Sequence, residues 1–211
     1  MELFYAPLAC SMASRIALYE ADAKVTYTYR DGKTKTLPDG TDYLSINPLG
    51  FVPSLRTDDG TIVTENVAIL QYIADQYPDA HLAPKNGTPR VRLQQWLSYV
   101  SSELHKAVYT PLLSAKMPKE AKTYALDIAH ARLGIIDQTL TGRDFLLDAF
   151  SVADAYLFTV LHWSRATPID LRKYPAITAY MAKLKQRPSV SRALGEELKM
   201  YAEEQERHKA A

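Results

Sequence analysis

The single cysteine of the chain is its clearest candidate for chemistry. Cys10 follows a short strand pattern and precedes a helix pattern. Unpaired backbone N–H groups and the helix dipole at such a position stabilise a thiolate and lower the pKa of the thiol. The alternative role of a free cysteine is that of a small buried hydrophobic residue. Position 13 is an alanine, so the chain lacks the resolving thiol that a Cys-x-x-Cys oxidoreductase needs.

Two further segments can offer backbone groups to a ligand. Val52-Pro53 begins a strand, and a cis peptide would turn the N–H and C=O of Val52 outward; the residues alone favour trans, because only about 5–6% of X–Pro bonds are cis. Glu65-Asn66 opens a helix, where free N–H groups can hold a carboxylate and Glu65 can accept from an ammonium group. Ordinary helix capping is the alternative for this pair.

A polar stripe is predicted along a long helix in the second half of the chain. Ser98, Ser102, His105 and Tyr109 are spaced by four, three and four residues, which places them on one side of a helix. A solvated face explains the stripe equally well, and Lys106 fits that interpretation. The remaining histidines lack the spacing of metal ligands, so no metal site is predicted.

The elements that must position these residues divide the chain in two. Residues 1–77 alternate short strand patterns with two helix patterns, which predicts βαβ followed by ββα, with a parallel first pair and an antiparallel hairpin through Asp58-Asp59-Gly60. Residues 78–88 have the composition of a linker. Residues 89–211 show helix patterns only, one of them opened by a capping box of Ser151 and Asp154. The sequence therefore predicts an α/β domain followed by an all-α domain.

Composition excludes several classes of protein. The 25 Lys and Arg against 24 Asp and Glu give a net charge of +1, without the basic footprint of a nucleic-acid-binding protein. No apolar run reaches about 18 residues and no signal peptide is recognisable, so neither a membrane span nor secretion is expected. One cysteine rules out an intramolecular disulfide framework and suits a reducing compartment, which predicts a cytoplasmic protein.

Five segments together resemble a known family. They are Phe4–Ser11, Asn47–Pro53, Thr64–Ile69, Ser102–Lys106 and Phe150–Phe158, and in this order they resemble the cytosolic glutathione transferases, among them the bacterial beta class. The resemblance implies a thioredoxin-like N-terminal domain, an all-helical C-terminal domain and a homodimer. Glutathione would be a co-substrate, and no cofactor is expected.

The resemblance also implies roles for single residues in binding glutathione. Pro53 would be cis, and the Val52 backbone would pair with the cysteinyl part of glutathione like an added strand. Glu65 and Asn66 would clamp the γ-glutamyl ammonium and carboxylate, although Asn66 stands where the class usually has Gly or Ser. Lys35 would reach the glycine carboxylate.

Catalytic roles are implied for three residues. Cys10 would lie beside the glutathione sulfur and could form a mixed disulfide with it, and Ser11 is a neighbouring donor to the thiolate. His105 is a candidate hydrogen-bond donor or general base near the sulfur. The other implied pocket residues are Ser102 and Lys106 for glutathione, and Tyr109, Leu112 and Leu113 for the electrophile.

Conjugation of the glutathione thiolate to small hydrophobic electrophiles is the expected function. Two alternatives remain open. One is a Cys10-dependent thiol transferase or peroxide reductase that cycles through a mixed disulfide. The other is a non-catalytic carrier of glutathione or hydrophobic ligands. In each case the expected partners are small molecules and a second copy of the chain, not nucleic acid or membrane.

Overall fold

A mixed four-stranded sheet organises the N-terminal part of the chain in a computed structural model that describes residues 1–210. The strands are β1 (Glu2–Tyr5), β2 (Thr26–Tyr29), β3 (Ser54–Arg56) and β4 (Ile62–Val63). Their order is β2-β1-β3-β4, with β1 and β2 parallel and the other two pairs antiparallel. The predicted order of elements and both strand directions are confirmed.

Both faces of the central strand β1 are covered. Successive side chains of a strand point to opposite faces, and Leu3 and Phe4 are both buried. Phe4 belongs to a cluster of buried residues with Leu37, Tyr43 and Val52. This cluster packs the long segment between β2 and β3 against the sheet. Two helices pack against each other and against strands of the sheet: α1 (Ser11–Glu20) and α2 (Asn66–Gln76).

The second half of the chain is helical, as predicted. It contains α3 (Gly87–Tyr99), a π-helix (Val100–Tyr109), α4 (Thr110–Leu113), α5 (Lys119–Leu140), α6 (Val152–His162), α7 (Pro175–Lys185) and α8 (Pro188–Ala210). Within residues 1–210, 3₁₀ turns lie at Tyr43–Ser45 and Pro78–Ala80 in the first half of the chain, and at Trp163–Ala166 and Leu171–Lys173 in the second half. Among residues 1–210, no helix has both the length and the apolar character needed to cross a membrane.

The division of the chain differs from the predicted one at its C-terminal end. One compact unit holds Met1–Leu82 together with α8, and the other holds Ala83–Arg187. The sequence pattern predicts a single helical domain over residues 89–211. Buried carboxylates on α8 explain the difference, because Glu197 accepts from the backbone of Leu8 and Glu204 from that of Gly32. An amphipathic pattern predicts a helix but does not identify the surface that it packs against.

A buried capping box starts α6, as the sequence predicts. Four donors reach the Asp154 carboxylate: the Ser151 N–H at 2.9 Å, the Ser151 hydroxyl at 2.8 Å, the Leu146 N–H at 2.9 Å and the Tyr180 hydroxyl at 3.0 Å. Asp154 is completely buried. The side chain therefore joins the start of α6 to the preceding loop and to α7.

We expect Asp154→Ala to lower the free energy of unfolding by about 3 kcal/mol, because it leaves buried donors without an acceptor. Denaturant unfolding followed by circular dichroism measures the change. Asp170→Ala is the matched control, since Asp170 also caps a turn but lies at the surface, and its effect should be much smaller. Equal losses in the two variants would contradict this role.

Candidate functional site

Cys10 occupies the position that the sequence predicts, at the start of a helix. It is the N-cap residue of α1, at the end of the loop that leaves β1. Its side chain is partly exposed, and Sγ donates to the carbonyl oxygen of Val52 at 3.1 Å. The thiol therefore connects the β1–α1 loop to the segment that precedes β3.

The Val52-Pro53 peptide is cis. The residue pattern alone favoured trans and was wrong, whereas the family resemblance implied cis and is confirmed. Side chains of the same segment fix the preceding turn. Asn47 Nδ2 and the Tyr43 hydroxyl both donate to the carbonyl oxygen of Phe51, at 2.8 and 2.9 Å. The backbone around Val52 is thus anchored by buried polar groups.

Lys35 lies beside the same turn. A Cβ added to Gly50 would be 2.7 Å from Lys35 Nζ, so the ammonium group lies against the Gly50 backbone, two residues before Val52. Gly50 has a φ of 65°, and a side chain there would also collide with Lys35. Lys35 itself has a φ of 58°. The structure therefore places a cation next to the Val52 segment.

Glu65 and Asn66 begin α2, as predicted. Glu65 is exposed, has a φ of 65°, and its side chain makes no hydrogen bond or ion pair with any residue in 1–210. Asn66 is buried, and its Oδ1 accepts from the Ser14 hydroxyl at 2.8 Å. Because Asn66 is the first helical residue, its backbone N–H has no partner within the helix. An exposed carboxylate thus lies next to a helix N-terminus.

Ser11 lies beside Cys10 but faces inward. It is completely buried, and its hydroxyl donates to the carbonyl oxygen of Ala6 at 3.2 Å and accepts from the Ala6 N–H at 3.3 Å. These bonds close the β1–α1 loop. In this conformation the hydroxyl stabilises the loop that carries Cys10.

Glu197 is a site-supporting residue that the sequence analysis missed. Its carboxylate is completely buried; Oε2 accepts from the Leu8 N–H at 2.7 Å, and Oε1 lies 3.5 Å from Arg15 NH1. Burial raises the pKa of Glu197 to about 8, although Arg15 and the Leu8 N–H oppose the shift. One signal could have revealed it: Glu197 continues the helical spacing of the buried residues Val190 and Leu194.

The raised pKa of Glu197 predicts a pH-dependent stability. Between the ordinary pKa of 4.5 and about 8, the folded protein keeps a proton that the unfolded chain releases. The free energy of unfolding should therefore fall as the pH rises through this interval, by about 1 kcal/mol per pH unit from this group. In urea unfolding at several pH values, the free energy of unfolding of Glu197→Gln should depend less on pH than that of the wild type. Glu203→Gln on the exposed face of α8 is the control; a Glu197→Gln curve parallel to the wild type would exclude the effect.

The other predicted residues lie in the second unit, on and after the π-helix. The structure breaks the predicted stripe: Ser98 and Ser102 are exposed, His105 is half-buried and Tyr109 is completely buried. The bonding pattern explains this, since the Thr110 N–H donates to the His105 carbonyl. Wider i→i+5 turns rotate successive side chains differently from an α-helix, so a spacing of four does not stay on one face.

Each of these side chains has a distinct setting. The Ser102 hydroxyl donates to the Ser98 carbonyl at 3.0 Å, and Lys106 is exposed. The Tyr109 hydroxyl bonds to Ser164 at 2.7 Å, so Tyr109 supports the helix from inside. The apolar surface predicted for an electrophile is then carried by two residues of α4. These are Leu112, which is half-buried, and Leu113, which is exposed.

His105 lies in an aromatic setting. Its Nδ1 is 2.7 Å from the Tyr156 hydroxyl, and the ring lies edge-on to Trp163 with centroids 4.8 Å apart. Burial, followed by the charge of Lys106, lowers the pKa of His105 to about 4. The imidazole is therefore neutral at neutral pH and keeps one nitrogen able to accept a proton.

We expect the His105 imidazole resonances to stay constant in NMR spectra between pH 5.5 and 8, because the ring is already neutral there. Lys106→Gln removes a repelling charge and should move the titration midpoint upward. Lys116→Gln, in an exposed segment of the same unit, is the control. A His105 midpoint within the interval 5.5 to 8 in the wild type would contradict this prediction.

One group of side chains has the composition of a metal site. Asp31, Glu204 and His208 each offer a ligand atom, and these atoms lie within 4.8 Å of one another. Hydrogen bonds already engage them: His208 Nε2 bonds to Asp31, and the Tyr29 hydroxyl donates to Glu204. Spacing along the sequence does not reveal this group, because its members come from opposite ends of the chain.

Comparison with known proteins identifies the family. Residues 9–76 match the model of the glutathione S-transferase N-terminal domain, and residues 96–188 match that of the C-terminal domain. The chain is 42% identical over 199 residues to glutathione S-transferase GstA of Escherichia coli O157:H7, which covers 93% of this chain and 98% of that protein.

Two solved structures are similar over the same extent, each covering 93% of this chain and 98% of the other. A sphingomonad glutathione S-transferase complexed with glutathione is 44% identical with a TM-score of 0.89. The bacterial beta-class glutathione S-transferase of Sphingomonas chungbukensis is 45% identical with a TM-score of 0.88.

The chain belongs to the glutathione S-transferase family, and it is a transferase. Its structural neighbours include bacterial beta-class enzymes, which confirms the resemblance seen in the motifs. The expected fold, a thioredoxin-like domain with a helical domain after it, is confirmed as well.

Proposed function

We propose that this transferase conjugates the glutathione thiolate to small hydrophobic electrophiles. The contact of Cys10 Sγ with the Val52 carbonyl, at 3.1 Å, carries the proposal. Val52 is the residue proposed to pair with the cysteinyl part of glutathione. Its contact with Cys10 would bring the bound sulfur to the N-terminus of α1, where the helix dipole favours an anion.

The charges around this backbone complement the ends of glutathione. Lys35, beside Gly50, is the proposed partner of the glycine carboxylate. Glu65 would accept from the γ-glutamyl ammonium, and the Asn66 N–H at the start of α2 would bind the γ-glutamyl carboxylate. The chain thus offers a cation, a backbone pair and an anion as partners for the zwitterionic tripeptide.

The proposed reaction is a nucleophilic substitution or addition at carbon. Bound glutathione loses its thiol proton, the thiolate forms a C–S bond, and in a substitution the leaving group departs with its electron pair. Lowering a thiol pKa from above 8 toward neutrality makes most of the thiol nucleophilic, which contributes a gain of about tenfold. Cys10 is the proposed group at the sulfur, and Ser11 would donate there only by turning its hydroxyl away from the Ala6 carbonyl. Neutral His105 is the proposed base or donor.

Leucine side chains of α4 are the proposed contacts of the electrophile. Leu112 and Leu113 provide an apolar surface, and the largely exposed segment 116–123 would vary its shape. Ser102 and Lys106 on the π-helix are the proposed further contacts of glutathione. An apolar lining with a few polar groups suits small hydrophobic substrates.

Thiol–disulfide exchange is the second candidate function. It is favoured by the partial exposure of Cys10 at a helix start. The Cys10 thiolate would attack a glutathione mixed disulfide, release the reduced thiol and keep glutathione as a Cys10 disulfide. A second glutathione thiolate would then release Cys10 and form oxidised glutathione.

The proposed setting is detoxification of electrophiles in the cytoplasm by a homodimer. Leu49 and Phe51 are exposed apolar side chains next to Val52-Pro53, which supports a protein contact beside the site.

We expect glutathione to bind in calorimetry, and the wild type to turn over both a chlorinated aromatic electrophile and a small glutathione mixed disulfide. Cys10→Ala should lower disulfide turnover by about a hundredfold or more, because the nucleophile is lost. Conjugation should be kept within about tenfold, since the helix N-terminus remains. Cys10→Ser is the matched control, because its hydroxyl can still donate to the Val52 carbonyl.

Each contrary outcome has a definite meaning. Failure to bind millimolar glutathione would overturn the proposed site and leave the family membership. Binding without turnover of any electrophile, disulfide or peroxide would indicate a carrier. Loss of both activities in Cys10→Ala would show that Ser11 cannot support conjugation without the thiol.

A further inference from the structure

A buried carboxylate near the end of α8 holds the loop that follows β2. Glu204 is 5% exposed, and its Oε1 accepts from the Gly32 N–H at 2.8 Å and from the Tyr29 hydroxyl at 2.7 Å. A backbone N–H bonded to a carboxylate is a strong, charge-assisted contact. The residues at the start of this loop are therefore fixed by a side chain about 170 positions later in the chain.

His208 reinforces the contact one helical turn later. Its Nε2 lies 2.8 and 3.1 Å from the two carboxylate oxygens of Asp31. Asp31 Oδ1 in turn accepts from the N–H groups of Lys33 and Thr34, at 2.9 and 2.8 Å. We call Glu204 and His208 the C-terminal latch. The latch and the turn that it holds are joined by an uninterrupted set of hydrogen bonds.

This turn determines where Lys35 points. The Lys35 N–H donates to the Asp31 carbonyl at 3.1 Å, and the Lys35 carbonyl accepts from the Tyr43 N–H at 3.0 Å. With a φ of 58°, Lys35 has a left-handed backbone that an L residue keeps only when its surroundings impose it. Its ammonium group lies against Gly50 as a result.

We propose that Glu204 and His208 are positioning residues that hold Lys35 for the glycine carboxylate of glutathione, and so make the enzyme select the complete tripeptide over γ-glutamylcysteine. This inference rests on the proposed function. The latch touches neither glutathione nor the reacting sulfur. It acts through the turn from Asp31 to Lys35, so its loss should affect only the part of the substrate that Lys35 contacts.

The test compares two substrates, glutathione and γ-glutamylcysteine, which lacks the glycine. For the wild type, KM should be about tenfold lower with glutathione, because one charge-assisted contact is added. Glu204→Ala should raise KM for glutathione by about threefold to tenfold with kcat kept, and leave KM for γ-glutamylcysteine unchanged. Glu204→Gln keeps an acceptor oxygen and should restore most of the loss. Glu203→Ala, exposed on the same helix, is the control.

A double variant separates positioning from a general effect on the fold. Glu204→Ala added to Lys35→Ala should raise KM for glutathione no further, since the residue that the latch positions is already absent. Should Glu204→Ala fail to fold, His208→Ala removes the hydrogen bond to Asp31 and should raise the same KM in the same direction.

Other outcomes overturn the latch without overturning the transferase. Equal rises of KM for both substrates, or an unchanged KM for glutathione in folded Glu204→Ala and His208→Ala, would show a structural role only. A wild type that does not distinguish the two substrates would remove the role of Lys35 and with it the latch. A wild type that binds neither would instead overturn the proposed function.

Discussion

A single buried carboxyl group, that of Glu197, holds the loop that leads to Cys10. Glu197 binds the Leu8 N–H from α8, and Leu8 has a φ of 58°. Without this acceptor the N–H would be a partly buried donor in a strained backbone. Both the lost hydrogen bond and the strain would raise the free energy of the folded state. Arg15, from α1, approaches the same carboxylate and stacks 4.4 Å over the ring of Tyr5. One interaction thus ties β1, α1 and α8 to the position of the thiol.

The same logic makes α8 part of the first unit. An apolar helix face could pack on many surfaces, but a buried carboxylate is tolerated only where donors meet it. Glu197 meets Leu8, and Glu204 meets Gly32 and Tyr29. Ser189 adds a contact with Glu20 at the end of α1. Glu197 and Glu204 are seven residues apart along α8. Together they fix the register of the helix against the rest of the first unit.

Features that depend on residues close together in the sequence were predicted correctly. The strands, the Asp-Gly hairpin, the start of α1 at Cys10 and the capping box of Asp154 depend on near neighbours, and all are present. The surface that α8 packs against was not predicted, because it is determined by contacts between residues far apart in the sequence. The partner of α8 depends on Glu197 and Glu204, whose donors lie at the other end of the chain. The polar stripe failed for a local reason, because the residues around His105 wind as a π-helix.

Several residues in the candidate-site segments have a strained backbone. Non-glycine residues rarely adopt positive φ, yet five do so among residues 1–210. Leu8, Lys35 and Glu65 lie in segments assigned to the candidate site, whereas Asp22 and His81 follow the ends of helical segments. Each such residue costs about 1–3 kcal/mol and persists only where its surroundings over-determine it. Glu197 holds Leu8, and the Asp31 and Tyr43 backbones hold Lys35. Glycine would relieve the strain, but it would remove the ammonium of Lys35 and the carboxylate of Glu65. The proposed contacts with glutathione therefore require a strained backbone at these two positions, because glycine can supply neither charge.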